Sequence, residues 1–194
     1  MEAESTWDLD SSIQLRKKFN NLTKKKKNEL SETIDAYLVS GGKMIKKDIL
    51  GLDQKYGIVK ISTTMDIKGE YPITDGVMII NVGGFERGMD FTKKKRVNPI
   101  FYPLNSVKEE AITYRIPKGY FVSYVPPNVN LDNGFFSIKR DYIKGQNEIK
   151  ITEVAQYKRT EIASRDYARV KDFFDKLPSA TQQRIIIKKE GSSK

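Results

Sequence analysis

Period-two alternation of apolar and polar residues recurs along this chain, and no other feature constrains its fold as much. From 110 to 116, Ile112, Tyr114 and Ile116 alternate with Ala111, Thr113 and Arg115. Such spacing puts one set of side chains on each face of a strand, so that one face can be buried and the other solvated. Pro117-Lys118-Gly119 then pairs a fixed φ with a residue free to take the opposite sign. Residues 120–125 are again aromatic and β-branched, until Pro126-Pro127 stops the run because proline cannot donate to a ladder. The stretch 96–127 thus reads as a loop, a strand, a tight turn and a second strand, a hairpin around which the rest of the chain can be placed.

The signal repeats on both sides. Val59, Ile61, Thr63, Met65 and Ile67 share one face of a half-buried antiparallel strand. Pro72 and Asp75-Gly76 mark a turn, and residues 77–82 are apolar on both faces, as a central strand would be. Asp132-Asn133-Gly134 is a hairpin signal rather than a calcium loop, since the regularly spaced acidic ligands of an EF-hand are missing. Phe136, Ile138, Arg140 and Tyr142 fall on one side of a strand over 135–143. Gly145-Gln146-Asn147 turns it into a strand over 148–158, where Ile149 and Ile151 alternate but Val154 is out of phase, which predicts a β-bulge. Residues 184–188 read as a last strand.

Two helical patterns flank the strands. Ser11, with Gln14 three residues on, has the spacing of a capping box. Leu15, Phe19 and Leu22, then Leu30, Ile34, Tyr37 and Leu38, follow at helical intervals up to Gly41-Gly42. This gives a helix over 11–40, or two shorter ones, with the lysines at 24–27 in solvent; its thin stripe suits docking on a sheet better than lying on a membrane. Ser164 would cap a second helix over 164–177, with Tyr167, Val170, Phe173 and Phe174 inward and Pro178 just outside. The expected fold is therefore mainly β: an antiparallel β-sandwich, immunoglobulin-like or similar, with an N-terminal and a C-terminal helix packed on it. One domain would span 11–188, with residues 1–10 and 189–194 lacking fixed structure.

Composition excludes more chemistry than it suggests. The 194 residues include no cysteine and no histidine, so the chain itself has no thiol nucleophile, disulfide, thiolate metal site or imidazole base. Papain-like, chymotrypsin-like and zinc hydrolytic sites are thereby excluded within it. The adjacent carboxylates Glu109 and Glu110 would point to opposite faces of a strand and could not share a substrate atom. No catalytic residue, metal site or cofactor is expected. No apolar run approaches the ~20 residues a membrane span needs, and the acidic start of the chain is not a secretory signal.

Thirty-five basic against 25 acidic residues leave a formal charge of +10. The excess points to an anionic partner or simply to solvation, and the lysine runs favour solvation. The segment from 85 to 96, ahead of Asn98-Pro99, would make a basic loop with Lys93, Lys94, Lys95, Arg96 and Tyr102 as a candidate polyanion surface, and Phe101 and Tyr120 as further aromatic neighbours. Packing of those aromatics, held between Pro99 and Pro103, is the simpler reading.

The order of Asn98-Pro99, Ile116-Pro117-Lys118-Gly119-Tyr120, Val125-Pro126 and Asp166-Tyr167 with Phe173 resembles a known module. It is similar to the C-terminal β-sandwich domain of unknown function that follows a transglutaminase-like domain in multi-domain bacterial envelope proteins. The likeness runs from about Ser11 to Lys188, and Pro99, Pro117, Gly119 and Tyr167 match as shape-determining positions. It implies a non-catalytic accessory or interaction domain, scaffolding an upstream catalytic domain or binding an anionic envelope polymer. The location implied is periplasmic or extracellular; without the resemblance, the missing signal would suggest the cytoplasm. Binding of polyanions or nucleic acid through the lysine clusters is the alternative, with nucleic acid the less favoured ligand.

Overall fold

A computed structural model describes residues 2–7, 9–23, 25–26, 43–67, 71–83, 91–101 and 106–191. In chain order the elements are β1 (Glu2–Trp7), α1 (Leu9–Asn20), β2 (Lys43–Leu50), β3 (Lys60–Asp66), β4 (Ile73–Thr74), β5 (Val77–Val82) and β6 (Ile100–Phe101). Then come β7 (Ser106–Arg115), β8 (Tyr120–Tyr124), β9 (Val129–Asp132), β10 (Phe136–Lys144), β11 (Glu148–Tyr157) and β12 (Glu161–Ile162). A short 3-10 turn (Ser164–Asp166), α2 (Tyr167–Thr181) and β13 (Gln183–Lys189) complete the chain. The protein is mainly β and antiparallel, with an N-terminal and a C-terminal helix.

Among the described residues the strands form a seven-stranded sheet in the order β2-β3-β1-β7-β11-β10-β9 and a four-stranded sheet in the order β4-β5-β13-β8, with β6 and β12 as a small ribbon. Along β10, Phe136, Ile138, Arg140 and Tyr142 are all buried, as period two requires of a one-faced strand. Phe136 and Ile138 belong to a core shared with α2, whereas Tyr142 belongs to a core shared with the four-stranded sheet. Strand β11 repeats the division: Ala155 lies in the first core, Ile149 and Ile151 in the second. Helix and small sheet therefore lie side by side on the same face of the large sheet. Ile80, Val82, Val122, Ile185 and Ile187 cover one part, and Val170, Phe173, Phe174 and Leu177 cover the other. Each such fully buried side chain is worth roughly 1.5–3 kcal/mol of transfer free energy.

The stretch 96–127 does not form a hairpin. Strand β7 is paired on one edge by β1 and on the other by β11, so β8 has no free edge to join. The turn after β7, with Tyr120 N–H bonded to Pro117 O at 3.2 Å and Gly119 at φ 78°, carries the chain across to the small sheet, where β8 pairs with β13. The predicted bulge in β11 is also absent: its register with β10 and β7 runs unbroken. Val154 faces outward, and the inward position that looked out of phase is occupied by Glu153. Shifts of register occur instead in β2, between Met44 and Lys46, and in β13, between Ile186 and Ile187.

Residues 2–7, expected to lack structure, form the strand that joins the two halves of the large sheet, pairing with β3 and β7 at once. Glu, Ala, Ser and Thr give no apolar alternation, and the strand is held by ladders on both edges rather than by a hydrophobic stripe. Helix α1 starts at Leu9, before Ser11, and among its described side chains the buried ones are polar, Ser12 and Arg16. Ser12 Oγ accepts the Val59 N–H at 2.8 Å, and Arg16 donates to Gly51 O and Gly57 O, both at 2.7 Å. Gly51 has φ 79°, and a Cβ there would sit 2.4 Å from Ile58 O, so the loop that Arg16 ties down tolerates only glycine at that point. The continuation of the helical stripe, Leu30 to Leu38, lies outside the described residues.

At the other end, α2 is entered from the 3-10 turn without a side-chain cap from Ser164, and it runs through Pro178 to Thr181. Proline in the last turn removes one hydrogen bond only, and buried Leu177 and Thr181 hold that turn in place. Among the described residues no helix is long and apolar enough to cross a membrane.

Ser5 stands opposite both Ile61 and Glu110, which makes it a sharp test of the central position of β1. Ser5→Pro is expected to lower stability by about 2–4 kcal/mol, through a lost ladder bond and the partner carbonyl left without its donor. Urea unfolding measures it; an unchanged midpoint would mean that β1 is not part of the sheet.

Candidate functional site

Between the two cores, where the α2 side of the large sheet gives way to the small-sheet side, a buried ion pair crosses from β10 to β11. Arg140 and Glu153 are cross-strand partners. Arg140 Nε donates to Glu153 Oε2 at 2.6 Å, its Nη2 meets the same oxygen, and its Nη1 donates to Thr181 O at 2.6 Å. One guanidinium thus joins two strands of the large sheet to the link between α2 and β13. Burial lifts the Glu153 carboxyl above the usual carboxylate range, by more than the Arg140 charge lowers it. Nearby, burial and the adjacent Tyr71 hydroxyl push the Tyr114 phenol well above its ordinary value.

A second constellation lies at the N-terminal end of α2. Phe91 is buried and stacks on Phe174 with ring centroids 4.6 Å apart, and Ile100 is buried in the same core. These anchors make the segment between them bow outward. Its main chain is held by the Tyr167 hydroxyl, which donates to Lys93 O at 2.8 Å. Lys93, Lys94 and Lys95 are exposed, and Arg96 is half-buried with its guanidinium 5.9 Å from the Tyr167 ring centroid. Two further arginines, Arg159 and Arg169, lie 5.5 and 4.6 Å from the centroid of the Phe135 ring. Lys158 bonds Asp132, and with the Gly134 N–H it draws that carboxyl below its ordinary pKa.

The sequence-predicted residues fare differently. The Lys93 main chain and the Arg96 side chain do meet a shape-determining residue, Tyr167, while Lys94 and Lys95 are exposed between them, and Pro99 leads directly into β6. Pro117 and Gly119 make the turn between sheets. Tyr102 lies outside the described residues, as do 84–90 of the basic loop. Phe101 is exposed, whereas Tyr120 packs against the core under the small sheet. Two of the lysine runs lie on different sheets, Lys46 and Lys47 on the edge strand β2 and Lys188 and Lys189 on β13, whereas Lys24 and Lys27 lie outside the described residues. Sequence reasoning missed Arg159, Arg165 and Arg169, because attention to runs favours lysines over arginines scattered across a strand end and a helix start. It placed Arg140 inward, but the supposed shift of phase in β11 hid its partner Glu153.

The chain belongs to a family of domains of unknown function, DUF3858, whose model matches residues 77–187, from the start of β5 into β13. Among solved structures it is similar to the crystal structure of a “putative protease” from Parabacteroides distasonis ATCC 8503, at 15% identity and a TM-score of 0.47. That alignment covers 59% of this chain and 24% of the other, so the likeness spans about a quarter of that protein. No curated protein matches the chain.

The raised Glu153 carboxyl has a definite sign. Its favourable contribution is complete below the ordinary carboxylate pKa and is lost as pH rises through the higher folded value, where the charge is buried. Arg140→Met is therefore expected to cost about 3 kcal/mol at pH 7, leaving the carboxylate without its partner, and clearly less at pH 4.5, where the carboxyl takes up a proton. Urea unfolding at the two pH values measures this, and equal losses would show that Glu153 is not the group responsible. Tyr167→Phe should cost about 1 kcal/mol and increase amide exchange over 92–97, since the loop loses its bond to Lys93 O.

Proposed function

We propose that this chain is a non-catalytic accessory domain of a longer bacterial envelope protein, one that scaffolds a transglutaminase-like catalytic neighbour or presents a ligand to it. The observation that carries this reading is how the buried charged groups are used. Arg140 bonds to Glu153 and to Thr181 O, and Arg16 bonds to Gly51 O and Gly57 O. A general acid or base must reach substrate, and Glu153 is instead turned into the seam between two cores. The sequence adds that no cysteine or histidine is present to serve as nucleophile or imidazole base. Resemblance to the module that follows transglutaminase-like domains supplies the identity of the neighbour and the location outside the cytoplasm.

A binding role for the basic surface is the second reading, favoured by the arginines gathered around Phe135 and Tyr167. The test of the accessory role is direct. Purified chain should not hydrolyse or transfer acyl groups on peptide substrates, and adding it to a separately expressed transglutaminase-like domain should raise that domain's melting temperature. Turnover by the chain alone that disappears in Glu153→Gln would overturn the reading.

A further inference from the structure

We propose that the arginine-bearing end of α2 is a docking surface for an acidic segment of a protein partner. The inference deepens the accessory reading, which it presupposes, by naming the surface and the partner's chemistry.

Arg159 and Arg169 converge on one ring, that of Phe135, and Arg96 lies against Tyr167, two residues before Arg169 on the same helical turn. A guanidinium lying over an aromatic face keeps its in-plane N–H groups available and loses rotamer freedom in advance, so binding a carboxylate costs it less entropy. Among the described residues, Arg96, Arg159 and Arg169 make no ion pair. Arg165 is 88% exposed, and its Nε reaches Asp166 only at 3.9 Å. This end of α2 therefore holds three arginines pre-positioned by packing and without an ion pair among the described residues, and Lys93, Lys94 and Lys95 are exposed in the segment that carries Arg96.

Two observations favour a polypeptide over a nucleic acid. Phe135 and Tyr167 are buried and already covered by guanidinium groups, which leaves Phe101 as the one exposed ring among the described residues here, where gripping a nucleic acid by stacking takes successive rings. Apolar side chains stand exposed among the charges instead: Val97 is 91% and Phe101 66% exposed. A segment that alternates carboxylates with aliphatic residues would satisfy both, pairing its acids bidentately with arginine and resting its apolar side chains on Val97 and Phe101.

The test uses the full chain and a fluorescein-labelled peptide alternating Glu with Leu, read by anisotropy. Binding should weaken as salt rises, by about tenfold or more in Arg159→Gln/Arg169→Gln, and comparably in Arg96→Gln. Arg159→Lys/Arg169→Lys keeps charge and ring cover, hence the fold, yet should still bind less well, since lysine cannot pair bidentately. Lys150→Gln, on the outer face of the large sheet, should bind like wild type. The proposal fails if the peptide does not bind, if Lys150→Gln weakens it equally, or if oligo-dT or phosphatidylglycerol vesicles bind more tightly than the peptide. Because the readout is binding and not turnover, its failure is distinguishable from failure of the accessory reading.

Discussion

Two charges placed where two hydrophobic cores meet are what the arrangement of this protein depends on. A sheet face as wide as that of β10 and β11 needs a cover, and here the cover is of two kinds, a helix and a second sheet. Apolar contacts alone would allow the two to slide along the strands. The Arg140 guanidinium fixes their meeting point, because it is bonded at once to Glu153 on β11 and to the carbonyl of Thr181, where α2 passes into β13. A buried ion pair is seldom worth much as net stability, since desolvation offsets most of the attraction. Its value here is positional: moving β10 against β11 by two residues would leave both charges facing apolar side chains.

Much of this is legible in the sequence wherever one physical signal acts alone. The inward set on β10, the alternation around Ile61 and Met65, the inner face of α2 and the final strand all follow from burial on one side of a regular element. Errors arose where a second constraint overrode the pattern. The two strands flanking Pro117-Lys118-Gly119 have everything a hairpin needs locally, but both edges of β7 are taken by distant partners, and no local window contains that fact. Strand β1 was invisible because its hold is main-chain bonding rather than hydrophobic side chains. Val154 reads as a break in phase because the inward position beside it holds a charge, Glu153, whose partner Arg140 no local window contains.

The candidate binding surface was legible in part for a similar reason. A basic run in a loop is easy to see, and Lys93 to Arg96 do lie at the helix end where binding is proposed. Residues brought there by folding, Arg159 from the end of β11 and Arg169 from α2, are separated from that run by more than half of the family-matched region. What unites them is a pair of aromatic rings at the rim of a core. Packing and recognition are thus linked at this end of the molecule, since the side chains that close the core are the ones that fix the cations in place.

The central place of β1 has a consequence for how the chain reaches its native state. During synthesis these six residues leave the ribosome well before either neighbour: β3 begins at Lys60 and β7 at Ser106. Until β7 has emerged, one edge of the strand has nothing to pair with, and a late ring closure of this kind is entropically expensive and slow. Until then the nascent sheet consists of β2, β3 and β1 and ends in an open edge, which another chain's strand could occupy.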